Sequence, residues 1–436
     1  MFGYSFFLTF VSTIYTSMKS VILFLFLTST FHSVFGQILS PKQQCADFDT
    51  LCSKLEYIHP DLSLYQTKKE YDARKSQIRA SFTDSASLSD FYLKVAPFMA
   101  SIKDGHSMIL PPIAEEHIVH AKNDGKTMPL RIKATGDVFV VDYPVTNDTQ
   151  ICNGDTILSI NGISSRDILN RMYGLFASEK GNAIKENIIN SYLPQLFWHM
   201  YQWSESYLFS MKRGNKVWEE KLNGVPQSKA VSVIKVKQSN IKPANFAYQL
   251  SHDHTKAIVT IPNVYQELAL KQFCDSVFKD INDKEIPELI IDVRNNTGGS
   301  SQCVERLISY FPHPNYRLFS KSQIMVSSYS KAYNQKHEEI YAQIRNLPDG
   351  RLFTIKDTKI KGNKTETNLY QGKITILVND KTYSGASTFA HKMQKFGIAK
   401  IKGETGCPTV YFGNFLTFIL PNSKLEYFIT FVKFSE

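Results

Sequence analysis

From Lys256 onward, short wholly apolar runs alternate with longer stretches of helical period, and this alternation constrains the fold of the 436-residue chain more than any other feature. Residues 257–261 read as a strand, after which Leu270, Phe273, Cys274, Val277, Phe278 and Ile281 recur at helical spacing. Leu289-Ile290-Ile291 forms a second strand that enters Asp292-Val293-Arg294, and Cys303, Val304, Leu307, Ile308 and Phe311 mark a second helix. Residues 374–378 give a third strand, followed by a helix with Ala386, Phe389, Ala390 and Met393 facing inward. Such strand–helix–strand units predict βαβ crossovers and a largely parallel sheet with helices against it. Residues 312–372 interrupt the rhythm. This polar and aromatic insertion, with Tyr329, Tyr333 and Tyr341, reads as a long surface excursion, placed where a lid could lie.

Upstream the periods differ. Residues 38–104 read as helices, with Leu88, Phe91, Val95, Phe98 and Ile102 on one apolar face and Pro97 expected to bend or divide it. Around Leu130 the period drops to two. Residues 130–133, the turn Thr135-Gly136-Asp137 and residues 138–141 predict a β-hairpin, and 152–162 predict a turn, a strand and an Asn-Gly turn. The expected chain is thus α/β, or α+β and multidomain. Its parts are an export signal over 1–36, an N-terminal helical region over 37–108, a β-rich module over 109–240 and a βαβ-repeat domain over 250–436.

The signal expectation rests on Met18-Lys19, the apolar run 21–27 and a small, polar exit to Gly36-Gln37. That run is short for a bilayer span, so a secreted or otherwise extracytoplasmic protein is expected, with membrane contact only through an uncleaved N-terminal segment. The formal net charge of +10 is scattered rather than gathered into a basic stripe, which argues against a nucleic-acid partner. Six cysteines (Cys45, Cys52, Cys152, Cys274, Cys303, Cys407) leave bridges and free thiols equally open. With no Cys-x-x-Cys pair and no histidine cluster at ligand spacing, neither a metal nor a cofactor is expected.

Three segments could carry chemistry. In Asp292-Val293-Arg294-Asn295-Asn296-Thr297-Gly298-Gly299, paired glycines between a buried strand and a helix can aim backbone N–H groups at a developing oxyanion, or simply make a tight turn. In Asn379-Asp380-Lys381-Thr382-Tyr383-Ser384-Gly385-Ala386-Ser387, Ser384 stands at another strand–helix junction with the Gly385 N–H beside it, as a nucleophile or as an N-cap. In Ile102-Lys103-Asp104-Gly105-His106-Ser107, His106 offers a base near neutral pH, although pattern alone does not select it from eleven histidines.

Together these segments resemble the tail-specific, or C-terminal-processing, serine peptidase family over residues 40–436. The stretch Gly397-Ile398-Ala399 leading to Gly403-Glu404-Thr405-Gly406 adds to the resemblance, and residues 154–162 look like the PDZ-like substrate-binding domain of such enzymes. The resemblance implies a catalytic domain of the tail-specific protease/crotonase-like type, Ser384 as nucleophile, and Gly385 with Gly298 or Gly299 as oxyanion donors. Peptide or unfolded-protein substrates follow from it. Where the Ser–Lys enzymes carry a lysine, this chain has Cys407-Pro408-Thr409, and Ser387 replaces a glutamate. It therefore resembles the tricorn-like branch, which implies His106 as general base and an acid beyond a final strand pair. The sequence ends at Glu436, directly after strands 415–420 and 425–434, so a site short of that acid is expected. The alternatives are a non-catalytic peptide- or ligand-binding protein on the same scaffold and an esterase with the same nucleophile.

Overall fold

The structure, a computed structural model, describes residues 37–239, 246–357, 359–363 and 369–436. The expected signal over 1–36 lies outside the described residues. The alternation after Lys256 becomes a five-stranded sheet. Lys256–Thr260, Glu288–Asp292, Lys373–Leu377 and Ala399–Lys402 are parallel neighbours in that order, and Ala247–Leu250 adds an antiparallel edge. Helices Glu267–Asp283, Ser301–Ile308 and Gly385–Lys395 cover it, and Leu270, Cys274, Leu307, Phe389 and Met393 share one core with Val259, Ile291 and Ile376. Each such aliphatic or aromatic side chain withdrawn from water contributes about 1.5–3 kcal/mol. Because the strands are parallel, their carboxyl ends share one edge. The loops after Asp292 and after Leu377 leave that edge side by side.

The N-terminal helices are Pro41–Ile58, Lys68–Ala80 and Leu88–Ala100; Ser40 with Gln43 and Thr67 with Glu70 form capping boxes on the first two. Of the two expected effects of Pro97, a bend or a division, the third helix shows no division. The proline falls in the last turn, where few backbone bonds remain to be lost, and the Pro97 carbonyl still accepts from Ser101 N–H. The hairpin forms between Leu130–Thr135 and Val138–Pro144, and Thr156–Ile160, Ser206–Arg213 and Lys216–Asn223 extend the sheet. Helices Ser165–Tyr173 and Ala183–Tyr201 lie against this module.

Residues 312–372 are not the expected surface excursion. Strand Lys321–Met325 pairs with Leu352–Ile355 on one side and with Glu426–Ser435 on the other, burying Ile324, Val326 and Ile355. Glu426–Ser435 also pairs with Val410–Ile419 and, through Tyr427 and Phe428, with the short strand Met108–Ile109. That last pairing fixes residues 104–107 against the C-terminal strands. All six cysteines are free.

Candidate active site

The turn that carries Ser384 is tied to the loop of the neighbouring strand at every step. Thr382 Oγ1 donates to the Val293 carbonyl at 2.8 Å, Tyr383 N–H donates to the Asn296 carbonyl at 3.0 Å, and Asn295 N–H donates to Asn379 Oδ1 at 2.9 Å. Held this way, Ser384 adopts φ 48° and ψ −128°, a conformation that costs a non-glycine residue about 1–3 kcal/mol. Its side chain makes no cap bond to the helix Gly385–Lys395 that follows. The N-cap alternative therefore has no contact behind it, and the hydroxyl is presented on a sharp strand-to-helix turn.

The paired glycines lie directly against this turn. A Cβ built on Gly298 would stand 2.8 Å from Ser384 Cβ, from Gly385 N and from the Tyr383 carbonyl oxygen. A Cβ on Gly385 would come within 3.3 Å of Gly299 N. The N–H groups differ in use. Gly298 N–H donates to Asn296 Oδ1 at 2.9 Å, with the Asn296 amide itself anchored on the Ile261 carbonyl. Among the described residues, the N–H groups of Gly299 and Gly385 have no acceptor, so these two are the donors left for an oxyanion.

His106 reaches the same turn from the N-terminal side. Its ring stacks on Tyr383, the residue before Ser384, at 5.0 Å between centroids and 26° between planes, with Tyr411 beyond at 6.3 Å. Burial lowers the pKa of His106, partly opposed by the Asp104 charge, so the neutral ring that a general base requires is favoured. Among the described residues, Asp104 makes no hydrogen bond to the ring. Its Oδ1 accepts His106 N–H at 2.9 Å, and its Oδ2 takes His59 Nε2 at 3.2 Å and the hydroxyls of Ser107 and Thr430. Burial opposes ionisation of Asp104, but those hydrogen bonds and the His59 and His106 rings hold its carboxyl below the usual range.

A second carboxylate was invisible to sequence reasoning. Glu179 enters from the stretch between helices Ser165–Tyr173 and Ala183–Tyr201, and Tyr383 Oη donates to its Oε2. A His106 ring nitrogen and one oxygen each of Asp104 and Glu179 lie within 4.8 Å of one another, the one cluster of metal-holding spacing among the described residues. Because four donors already occupy Asp104, the set is poorly suited to share that carboxylate with a cation. Glu436 lies elsewhere: it accepts from Thr388 Oγ1 at 2.7 Å and pairs with His391 on the helix that follows Ser384. No motif marks Glu179 or His59; both arrive through packing.

Residues 256–415 match Peptidase family S41. No curated protein matches the chain by sequence. Among solved structures, mature CPAF is similar with a TM-score of 0.62 at 14% identity, over 90% of this chain and 89% of that one. Mature CPAF complexed with lactacystin gives 0.61 at 15% identity, over 90% of each chain. Identities this low establish a shared fold, while the family match covers the segment that contains Ser384 and Gly298-Gly299. The match to Peptidase family S41 thus spans residues 256–415, and over the rest of the chain the similarity to mature CPAF is one of fold.

Proposed function

We propose that the chain hydrolyses peptide bonds through an acyl-enzyme on Ser384, with His106 as general base. The observation that carries this reading is the strained, uncapped Ser384, wedged against Gly298-Gly299 and flanked by the His106 ring stacked on Tyr383. His106 takes the Ser384 Oγ proton as Oγ bonds to the substrate carbonyl carbon. The N–H groups of Gly385 and Gly299 stabilise the resulting oxyanion. The C–N bond then breaks while His106 returns the proton to the leaving amine, and water, deprotonated by the same ring, releases the acyl group.

A fluorophosphonate probe is expected to label the wild type on Ser384, and Ser384→Ala is expected to abolish both labelling and peptide cleavage. Equal cleavage by the two proteins removes the proposal. Loss of His106 is expected to lower the rate by about 10³–10⁴-fold with the fold intact, read by circular dichroism and single-turnover labelling.

The substrates of this reading are peptides or unfolded chains, captured as an added strand by the PDZ-like sheet of residues 130–223. Affinity for a free-carboxyl peptide should exceed that for its amidated twin, and equal affinity refutes tail recognition. Export follows from the charge-and-apolar pattern of residues 18–37. N-terminal sequencing of the material outside the cytoplasm tests it.

A further inference from the structure

Among the described residues, two enclosed polar atoms at the site lack partners: Nδ1 of His106 and Oε1 of Glu179. A buried donor or acceptor left unpaired costs about 1–3 kcal/mol, so two such atoms in one cluster point toward each other's chemistry. The other oxygen of Glu179 is already held by Tyr383 Oη, and the backbone N–H of Gly105 also supports the carboxylate. Glu179 thus touches the residue before the nucleophile and the residue before the base. We propose that Glu179 is the positioning residue of this peptidase: its carboxylate accepts the Nδ1–H of His106, fixing the tautomer that leaves Nε2 free for Ser384. This rests on the Ser384–His106 reading above and adds the residue that orients the base. One ligand atom each of His106 and Glu179 lie within 4.8 Å of one another, and catalytic contacts commonly tighten when substrate binds.

The origin of Glu179 gives the arrangement a further consequence. It hangs between two helices of the β-rich module, whereas Ser384 belongs to the parallel sheet and His106 to the loop before Met108–Ile109. The site is assembled from three parts of the chain, and the base is oriented only while the module is seated. Asp104 cannot substitute, because its oxygens serve His59, Ser107, Thr430 and the His106 backbone.

Titration supplies a readout that a merely structural residue would not move. Burial and the nearby Asp104 charge push Glu179 up to about 7, while the Tyr383 hydroxyl and backbone N–H groups oppose the rise. Its other charged or titratable neighbours are Tyr65, Tyr383, Tyr411 and Cys407, each held further toward its neutral form by burial and by Glu179. His59 stands behind Asp104, and Lys180 is turned away to Glu404. The working form therefore requires an ionised Glu179 beside a neutral His106, and activity falls as pH drops through about 7, where Glu179 takes up its proton.

The experiment measures kcat and KM against pH for the wild type, Glu179→Gln, Tyr383→Phe and Ser384→Ala, with thermal transitions for each. Glu179→Gln is expected to lower kcat by about 10³–10⁴-fold with little change in KM, and to move the acid limb to lower pH, where His106 alone titrates. In a His106→Ala background it should add no further loss of probe labelling, because it acts through that ring. Tyr383→Phe removes a donor that favours the carboxylate and should move the limb upward, which keeps the test alive if Glu179→Gln fails to fold. A Glu179→Gln enzyme with wild-type kcat, an equal loss without His106, or a limb unmoved in Tyr383→Phe overturns the inference. Activity surviving in Ser384→Ala overturns instead the reading on which it rests.

Discussion

A single methyl group would close the space between the two loops of the site. Gly298 has φ +104°, a region L side chains rarely adopt, and an added Cβ would meet three backbone or Cβ atoms of residues 383–385 at 2.8 Å. Gly298→Ala is expected to lower the labelling rate of Ser384 more than 100-fold and to destabilise the fold by about 1–3 kcal/mol, read by active-site titration and urea unfolding. Two paired glycines in the sequence announce this crowding but not its division of labour. Both were candidates for the oxyanion hole, and only the Asn296 side chain, which engages the Gly298 N–H, separates them. Ser384 is a similar case. Its residue type and junction suit a nucleophile or a cap, and the backbone conformation with no cap bond leaves the cap without a contact.

At the scale of elements, the helix Gly385–Lys395 ties the turn of Ser384 to the sheet. Phe389 and Met393, fully buried, anchor its inner face, while Thr388 and His391 on another face meet Glu436 at the end of the last strand. Phe389→Ala is expected to cost about 3–5 kcal/mol by urea denaturation, because a large void would open between this helix and the sheet. Helical periodicity made this helix and its inward residues readable. The insertion 312–372 was not readable in the same way, since its strands are short and partly polar. They become strands by pairing with Glu426–Ser435, about a hundred residues downstream, and a pairing partner is not encoded in the local pattern.

For the whole molecule, Asp104 joins three distant pieces: His59 at the end of the first helix, the loop of His106, and Thr430 on the last long strand. Asp104→Asn is expected to lower stability by about 3 kcal/mol near neutral pH, because the donors lose a charged acceptor in a buried site. The folded carboxyl sits below its unfolded value of 3.8. Its stabilisation is therefore fully present above that value and is lost as pH falls through the folded pKa, so the variant should show a shallower acid unfolding curve than the wild type. The sequence by itself determined the parallel sheet, its covering helices, the hairpin and the strand–helix junctions with their glycines, because apolar periodicity and turn chemistry act within a few residues. Apolar and turn patterns did not single out His106 among eleven histidines, and tertiary structure alone brought its ring to the turn of Ser384 and set Glu179 beside it. Glu179 and Tyr383 are 204 residues apart, and Asp104 and Thr430 are 326 apart. Contacts at such separations exist only after whole sheets have packed, when burial leaves a polar group no partner but the one the fold brings to it.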